Sequence, residues 1–274
     1  MARRIVRCLL AATLALPASG ALAAEGEVVV ARLPDRSIAA LVDRLPGATR
    51  PTRAIALFAG HPGILRLRLK DGEAKFELRG NFLIRSRRHW LDADTLTVSI
   101  DAPDDEWGAF SQRFRATPRY AEDLAAILDA VEAKHGALEW TAVGTSEGSV
   151  SAFHAARMLP ERFRRVILTA SVFLSGRNGP GLSNADWSLL KVPLLWVHHE
   201  DDPCRFTAYR DAQHYAKETK APLVTVRGGG PVQGPDCMAR TQHGFIGVEK
   251  AAIEAMRGWI ATGQAPAFAG TPAR

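Results

Sequence analysis

The sequence predicts an α/β protein built on a mostly parallel sheet, and three observations carry that prediction. Short apolar runs recur at Arg53–Gly60, Leu138–Val143, Arg165–Ala170, Pro193–His199 and Leu223–Arg227. Their near-continuous apolar character fits strands covered on both faces, as parallel sheets require. Between and after them lie segments with helical spacing of apolar residues, at Pro118–Lys134, Ser151–Leu159 and Val248–Ile260, which is the alternation that builds such sheets. One strand-to-helix junction reads Gly144-Thr145-Ser146-Glu147-Gly148, and paired glycines there allow a turn too tight for side chains.

The chain has 274 residues, 47% of them hydrophobic. It opens with the basic stretch Met1–Arg7, continues through the apolar run Cys8–Leu16, and reaches small residues at Ala18, Ala21, Ala23 and Ala24. That is the pattern of a secretory signal peptide over residues 1–24, cleaved after Ala23 or Ala24, and its apolar run is too short to span a membrane. Residues 25–274 are then sized for a single domain with one core. Loss of Arg3, Arg4 and Arg7 takes the formal charge from +6 to +3. The basic balance is therefore no argument for a nucleic-acid partner. Of the three cysteines, Cys8 leaves with the signal, and the remaining pair, Cys204 and Cys237, points to one disulfide in an oxidising compartment, the alternative being two free thiols.

Taken in order, Glu27–Leu33 alternates as an edge strand, and Pro34–Pro51 reads as turn-rich with a short helical stretch around Ile38–Leu45. The Arg53–Gly60 strand runs into the loop Gly60-His61-Pro62-Gly63. Next, Ile64–Leu69, Asp71-Gly72 and Ala74–Leu78 read as a small inserted hairpin. Asn81–Arg88 and Trp90 follow, then a strand at Thr95–Ile100 closed by Asp101–Asp105. Arg85, Arg87, Arg88, Arg113 and Arg115 are close in sequence to Asp101, Asp104 and Asp105. Surface ion pairs account for that clustering; the sharper alternative makes Arg85 and Arg115 contacts for a substrate carboxylate. The Pro118–Lys134 helix carries Tyr120, Leu124, Ile127, Leu128 and Val131 on one stripe. The glycine-containing connection Ser175–Leu190 is too short for a multi-helix lid.

The chemistry is legible at four places. Gly144–Gly148 matches G-x-S-x-G, in which a strained strand-to-helix turn lifts the serine oxygen toward substrate; the bland alternative makes Ser146 an ordinary turn serine. After the next strand but one, Glu200-Asp201-Asp202-Pro203 supplies a carboxylate that could orient a histidine. Asp202 is the preferred acid, with Asp201 and Glu200 as rivals and helix capping as the bland role. A long loop after Leu223–Arg227 delivers His243 as general base, completing the order Ser146, Asp202, His243. Oxyanion stabilisation needs backbone N–H donors. Glu147 supplies one and the Gly60–Gly63 loop the other; Pro62 has no N–H, so the donor is His61 or Gly63, with His61 preferred. The His61 imidazole is itself the rival for general base. Were Asp202 bonded to His243, the loops carrying Cys204 and Cys237 would be adjacent, which makes a bridge between them geometrically reasonable.

With these residues assembled, the chain resembles the α/β-hydrolase superfamily over nearly all of residues 25–274. More narrowly it is similar to a group of exported bacterial α/β hydrolases, through Asn81-Phe82-Leu83-Ile84-Arg85-Ser86-Arg87, Asp101-Ala102-Pro103, Gly144-Thr145-Ser146 and His199-Glu200-Asp201-Asp202-Pro203-Cys204. It departs from that group at Gly60-His61, where the group has a glycine pair. The resemblance implies a mostly parallel sheet of roughly eight strands flanked by helices, and hydrolysis through an acyl-enzyme. The expected function is a periplasmic or secreted serine hydrolase, foremost a carboxylesterase acting on a small-molecule ester or acyl substrate. A peptidase or thioesterase on the same scaffold, or a non-catalytic binding protein that retains it, are the alternatives. No metal or organic cofactor is implied, since the histidines and cysteines lack metal-ligand spacing, and neither a nucleic-acid partner nor a membrane span is expected.

Overall fold

The computed structural model describes residues 25–48 and 50–271; the expected signal peptide lies outside them. Eleven strands are present among the described residues: β1 (Glu25–Arg32), β2 (Ser37–Arg44), β3 (Arg53–Phe58), β4 (Arg68–Lys70), β5 (Glu73–Lys75), β6 (Thr95–Ile100), β7 (Glu139–Thr145), β8 (Phe163–Thr169), β9 (Leu194–His199), β10 (Leu223–Arg227) and β11 (Phe268–Gly270). Nine of them form one sheet in the order β1-β2-β6-β3-β7-β8-β9-β10-β11, and β4 and β5 form the separate hairpin. From β6 to β11 every pairing is parallel, while β2 runs antiparallel to both β1 and β6. The sheet is thus mostly parallel, with one strand more than expected.

The parallel strands are covered on both faces, and the alternation of their side chains sorts the core into two layers. Ala54, Ala56 and Phe58 of β3, with Val166 and Leu168 of β8, enter one apolar cluster; Ile55, Leu57 and Ile167 enter the other. Helices α3 (Pro118–His135), α4 (Glu147–Met158) and α5 (Tyr209–Thr219) pack into the first layer, whereas α1 (Phe82–Ser86) and α6 (Glu249–Thr262) pack into the second. The stripe expected on α3 is buried as read, and its N-terminus is fixed by Thr117, whose hydroxyl accepts from the Tyr120 N–H ahead of Pro118. A four-residue helix, α2 (Gln112–Arg115), lies against α4. Among the described residues no helix is long and apolar enough to cross a membrane.

Two local expectations are overturned. The stretch around Ile38–Leu45, read as helical, is strand up to Arg44: it forms β2, which pairs with β1 from Glu25↔Arg44 to Arg32↔Ser37 and with β6 on its other edge. The cause is burial on both sides: Ile38, Ala40 and Val42 pack into one cluster, and Ala39 and Leu41 into another beneath the hairpin. A fully apolar pentapeptide has no period to reveal this from sequence. The second correction is that Leu223–Arg227 is not the last strand. Phe268–Gly270 adds to it in parallel, with Thr225 opposite Phe268.

Candidate active site

Ser146, Asp202, His243, His61 and Glu147 gather at the carboxyl end of the parallel strands, where open α/β sheets hold their ligands. Ser146 directly follows β7 and stands at the N-cap of α4 with φ 53° and ψ −127°. For a residue with a side chain this backbone is strained, at about 1–3 kcal/mol, and must be enforced by its surroundings. Both neighbouring glycines show how. A Cβ on Gly144 would run into the Gly148 carbonyl, and one on Gly148 into the carbonyl of Phe58 in β3. The turn is pinned further by Ser146 N–H to Thr169 O at 3.0 Å and by the Ser149 hydroxyl, which donates to Ser146 O at 2.6 Å.

Asp202 and His243 arrive from the loops after β9 and β10. His243 Nδ1 is 3.0 Å from Asp202 Oδ2, and both side chains are buried. The carboxylate also accepts the Cys204 N–H on Oδ1 at 2.9 Å and the Thr207 hydroxyl on Oδ2 at 2.7 Å. Charge-assisted donors of this kind hold a buried carboxylate in one orientation. The neighbouring acids are directed elsewhere: Glu200 pairs with Arg227 at 2.8 Å, and Asp201 is exposed. Cys204 and Cys237 form a disulfide with Cα atoms 4.6 Å apart. It ties the loop of Asp202 to the segment leading into His243. That segment is knotted locally as well, since the Thr241 hydroxyl donates to the carbonyls of Asp236 and Met238.

The Gly60–Gly63 loop closes the other side. A Cβ on Gly60 would lie 3.0 Å from the Ser146 Cβ, so the loop backbone abuts the serine. Behind it, Asp101 at the end of β6 accepts the N–H groups of Leu65, Leu67 and Ala102 at 2.6–2.8 Å; burial nonetheless pushes its carboxyl up to about 6. The His61 ring lies beside Glu147: Nδ1 is 3.2 Å from Glu147 Oε2, and Asn178 Nδ2 is 2.6 Å from Glu147 Oε1. The hydrogen bond to Glu147 raises the His61 pKa above its ordinary value. Burial pushes the Glu147 carboxyl up, but the bonds from His61 and Asn178 and the charges of Arg115 and His61 outweigh it and leave the group lowered.

Ser146, His243, His61 and Glu147 all line one cleft of about 750 Å³. Its apolar wall includes Leu78, Phe82, Val172, Leu174, Phe206 and Met238, and the Cys204–Cys237 bridge forms part of the same surface. The two arginines expected at a substrate carboxylate are placed elsewhere, which corrects that reading. Arg115 is buried, with its guanidinium donating to Ser151 Oγ (2.7 Å), Pro62 O (3.0 Å) and Phe110 O (3.2 Å). It props the Gly60–Gly63 loop from beneath. Arg85 binds Glu249 at 2.8 Å and the carbonyls of Gly80 and Gly244, two residues of the cleft wall, but does not itself line the cleft. Sequence reasoning had no means to see that Thr207 and Asn178 join these clusters, because each is one polar loop residue among many.

No protein-family model matches the chain, and comparison with curated proteins returns no match. Solved structures do match. Est1E from Butyrivibrio proteoclasticus superposes with a TM-score of 0.58 at 14% identity, covering 87% of this chain and 100% of that one. An α/β serine hydrolase without a lid from Xanthomonas campestris gives 0.54 at 16% identity, covering 87% and 93%. A cold-adapted esterase from an Arctic intertidal metagenomic library gives 0.52 at 14%, covering 74% and 85%. At such identities the likeness speaks for architecture: the chain has the α/β-hydrolase fold, and among the described residues no large lid domain is inserted.

Proposed function

We propose that this protein is a serine hydrolase, foremost a carboxylesterase, made as one exported domain after removal of residues 1–24. Ser146 attacks the acyl carbonyl. His243 takes the serine proton and returns it to the leaving group, and Asp202 keeps His243 in the tautomer that leaves Nε2 free to do so. The N–H groups of Glu147 and His61 receive the oxyanion, each worth roughly 3 kcal/mol of barrier.

The observation that carries this reading is the His243 Nδ1 to Asp202 Oδ2 contact of 3.0 Å, held by two further donors, in the same cleft wall as a serine on a strained elbow. Retaining such strain at a strand-to-helix turn with no chemical role would be hard to account for. Export is supported by the leader-like residues 1–24 and by the disulfide.

The test is intact mass of the mature protein after a fluorophosphonate probe, run on wild type and Ser146→Ala. A single adduct on wild type that is absent from the variant is the expected result. Folded wild type without an adduct overturns the reading and favours a binding protein. Relative rates on 4-nitrophenyl acetate, its thioester counterpart and an anilide then separate esterase from thioesterase and peptidase.

A further inference from the structure

The charges on the cleft wall are unbalanced. Among the described residues lining it, Glu147 is the only carboxylate, and it is matched by His61 and Asn178 with Arg115 behind at 3.9 Å. Two arginines line the same cleft, Arg177 and Arg240, and both are exposed. No carboxylate of the described residues pairs with either; Arg240 has only a long contact, 3.5 Å, to the Gln233 amide.

Both guanidinium groups are carried on fixed backbone. Arg177 sits in the tight Gly176–Gly179 turn, where Gly176 and Gly179 exchange N–H and carbonyl bonds. That turn is held by Gln112, whose N–H donates to Asn178 O and whose side-chain oxygen accepts from Gly181, and by the Asn178 bond to Glu147. Arg240 is three residues before His243. Its carbonyl accepts from Gln233, and Thr241 and the Cys204–Cys237 bridge hold the segment on either side. The two thus flank the cleft, one on the side of Glu147 and one on the side of His243. Fixed anchorage matters because an arginine loses less entropy on capturing an anion when its backbone is already placed. Beside them lies an apolar wall whose rim residues Leu174 and Met238 are themselves exposed.

We propose that the cleft selects acyl substrates that carry, beyond an apolar portion, a second and anionic group, a carboxylate or a phosphate, received by Arg177 and Arg240. The inference rests on the hydrolase reading for its chemistry but not for its test, which is first a binding measurement. The mature Ser146→Ala protein is titrated calorimetrically with monomethyl suberate, which is anionic, and with dimethyl suberate, which is not. The monoester binds about tenfold tighter at low ionic strength, as expected for charge-assisted contacts in a half-enclosed site. That preference shrinks in ~0.5 M salt and collapses toward unity on adding Arg177→Gln and Arg240→Gln, with thermal unfolding of the variants checked to show that they are folded. Equal affinities, or a preference that survives both salt and the two substitutions, overturn the proposal.

Octanoate and octyl phosphate serve as competitors: displacement by either supports the proposal and the tighter one names the anion, while displacement by neither overturns it. Fluorophosphonate labelling of wild type runs in parallel. Labelling without any anion preference sinks this inference alone, and anion preference without labelling of Ser146 sinks the catalytic reading alone.

Discussion

Replacing both bridging cysteines by serine separates what the disulfide does for stability from what it does for the Asp202–His243 contact. Cys204 and Cys237 are 33 residues apart in sequence. In the chain-entropy relation a crosslink of that span removes about 12.5 cal/mol/K from the unfolded ensemble, or about 3.7 kcal/mol at 25 °C. At about 2–4 °C of melting temperature per kcal/mol for a chain of this size, the Cys204→Ser/Cys237→Ser protein should melt about 7–15 °C lower. Its urea midpoint should fall while the slope rises, because the unfolded chain freed of its crosslink exposes more surface. The chemistry should suffer far less. The Asp202 carboxylate is held by the Cys204 backbone N–H, the Thr207 hydroxyl and His243 Nδ1, and none of these uses a sulfur atom. The turnover of the folded variant should therefore stay within about tenfold of wild type, because the lost constraint acts mainly on the unfolded chain. Urea unfolding and ester hydrolysis on the same two preparations check both halves. Unfolding free energies that agree within about 1 kcal/mol would refute the stability argument, and loss of all activity in a folded variant would show that the bridge itself keeps the acid and base in register.

Three other perturbations follow from particular contacts. Glu147→Gln removes the carboxylate that raises the His61 pKa, so the His61 titration followed by NMR, above the ordinary 6.5 in wild type, should move down; an unmoved midpoint would contradict the pairing. The stabilisation from that pair is present below the unfolded-state value and is lost as pH rises through the folded one. Acidification should weaken the fold between about pH 6.5 and 4, because burial pushes His154 down to about 4 and the fully buried His198 to about 3, and the unfolded chain takes up protons there that the folded chain refuses. Asp101, raised to about 6, opposes the trend between its unfolded value and that pH, as its neutral form is favoured in the fold. Urea midpoints across this range should still decline toward acid, and less steeply in His154→Gln; a flat profile would refute the reading. Arg85→Ala should lower stability by about 1–3 kcal/mol through loss of its bonds to Glu249, Gly80 and Gly244. It should leave the KM values for anionic and neutral esters in the same ratio, and a selective rise for the anionic ester would restore Arg85 to the cleft.

The likeness to solved hydrolases at 14–16% identity shows how much of this architecture is carried by pattern and how little by identity. The parallel strands were legible because each is apolar nearly throughout and is followed by a helical stripe, a pairing of periods that few other folds require. The elbow was legible because both glycines are sterically obligatory, and the structure gives the reason in the Gly148 and Phe58 carbonyls. β2 was misread for a complementary reason. Burial on both faces erases the alternation that distinguishes strand from helix, and a five-residue run is short enough for either. β11 was missed because Phe268–Gly270 is three residues long and gains its strand conformation from pairing with β10 alone.

By itself the sequence pointed to the fold class, to Ser146 followed by an acidic cluster and His243 in that order, and to one disulfide between Cys204 and Cys237, since these depend on local period, on motif spacing and on a count. Tertiary structure decided which of three adjacent acids meets His243, because that turns on which way a few loop residues point. It also decided which arginines face the cleft. Arg85 and Arg115 are nearer in sequence to the Gly60–Gly63 loop, yet both are consumed by internal contacts, whereas Arg177 and Arg240, distant in the chain, are presented to the cleft by two anchored loops. Charge in a sequence says only that a group must be solvated or paired; which of these it is depends on the neighbours that folding brings.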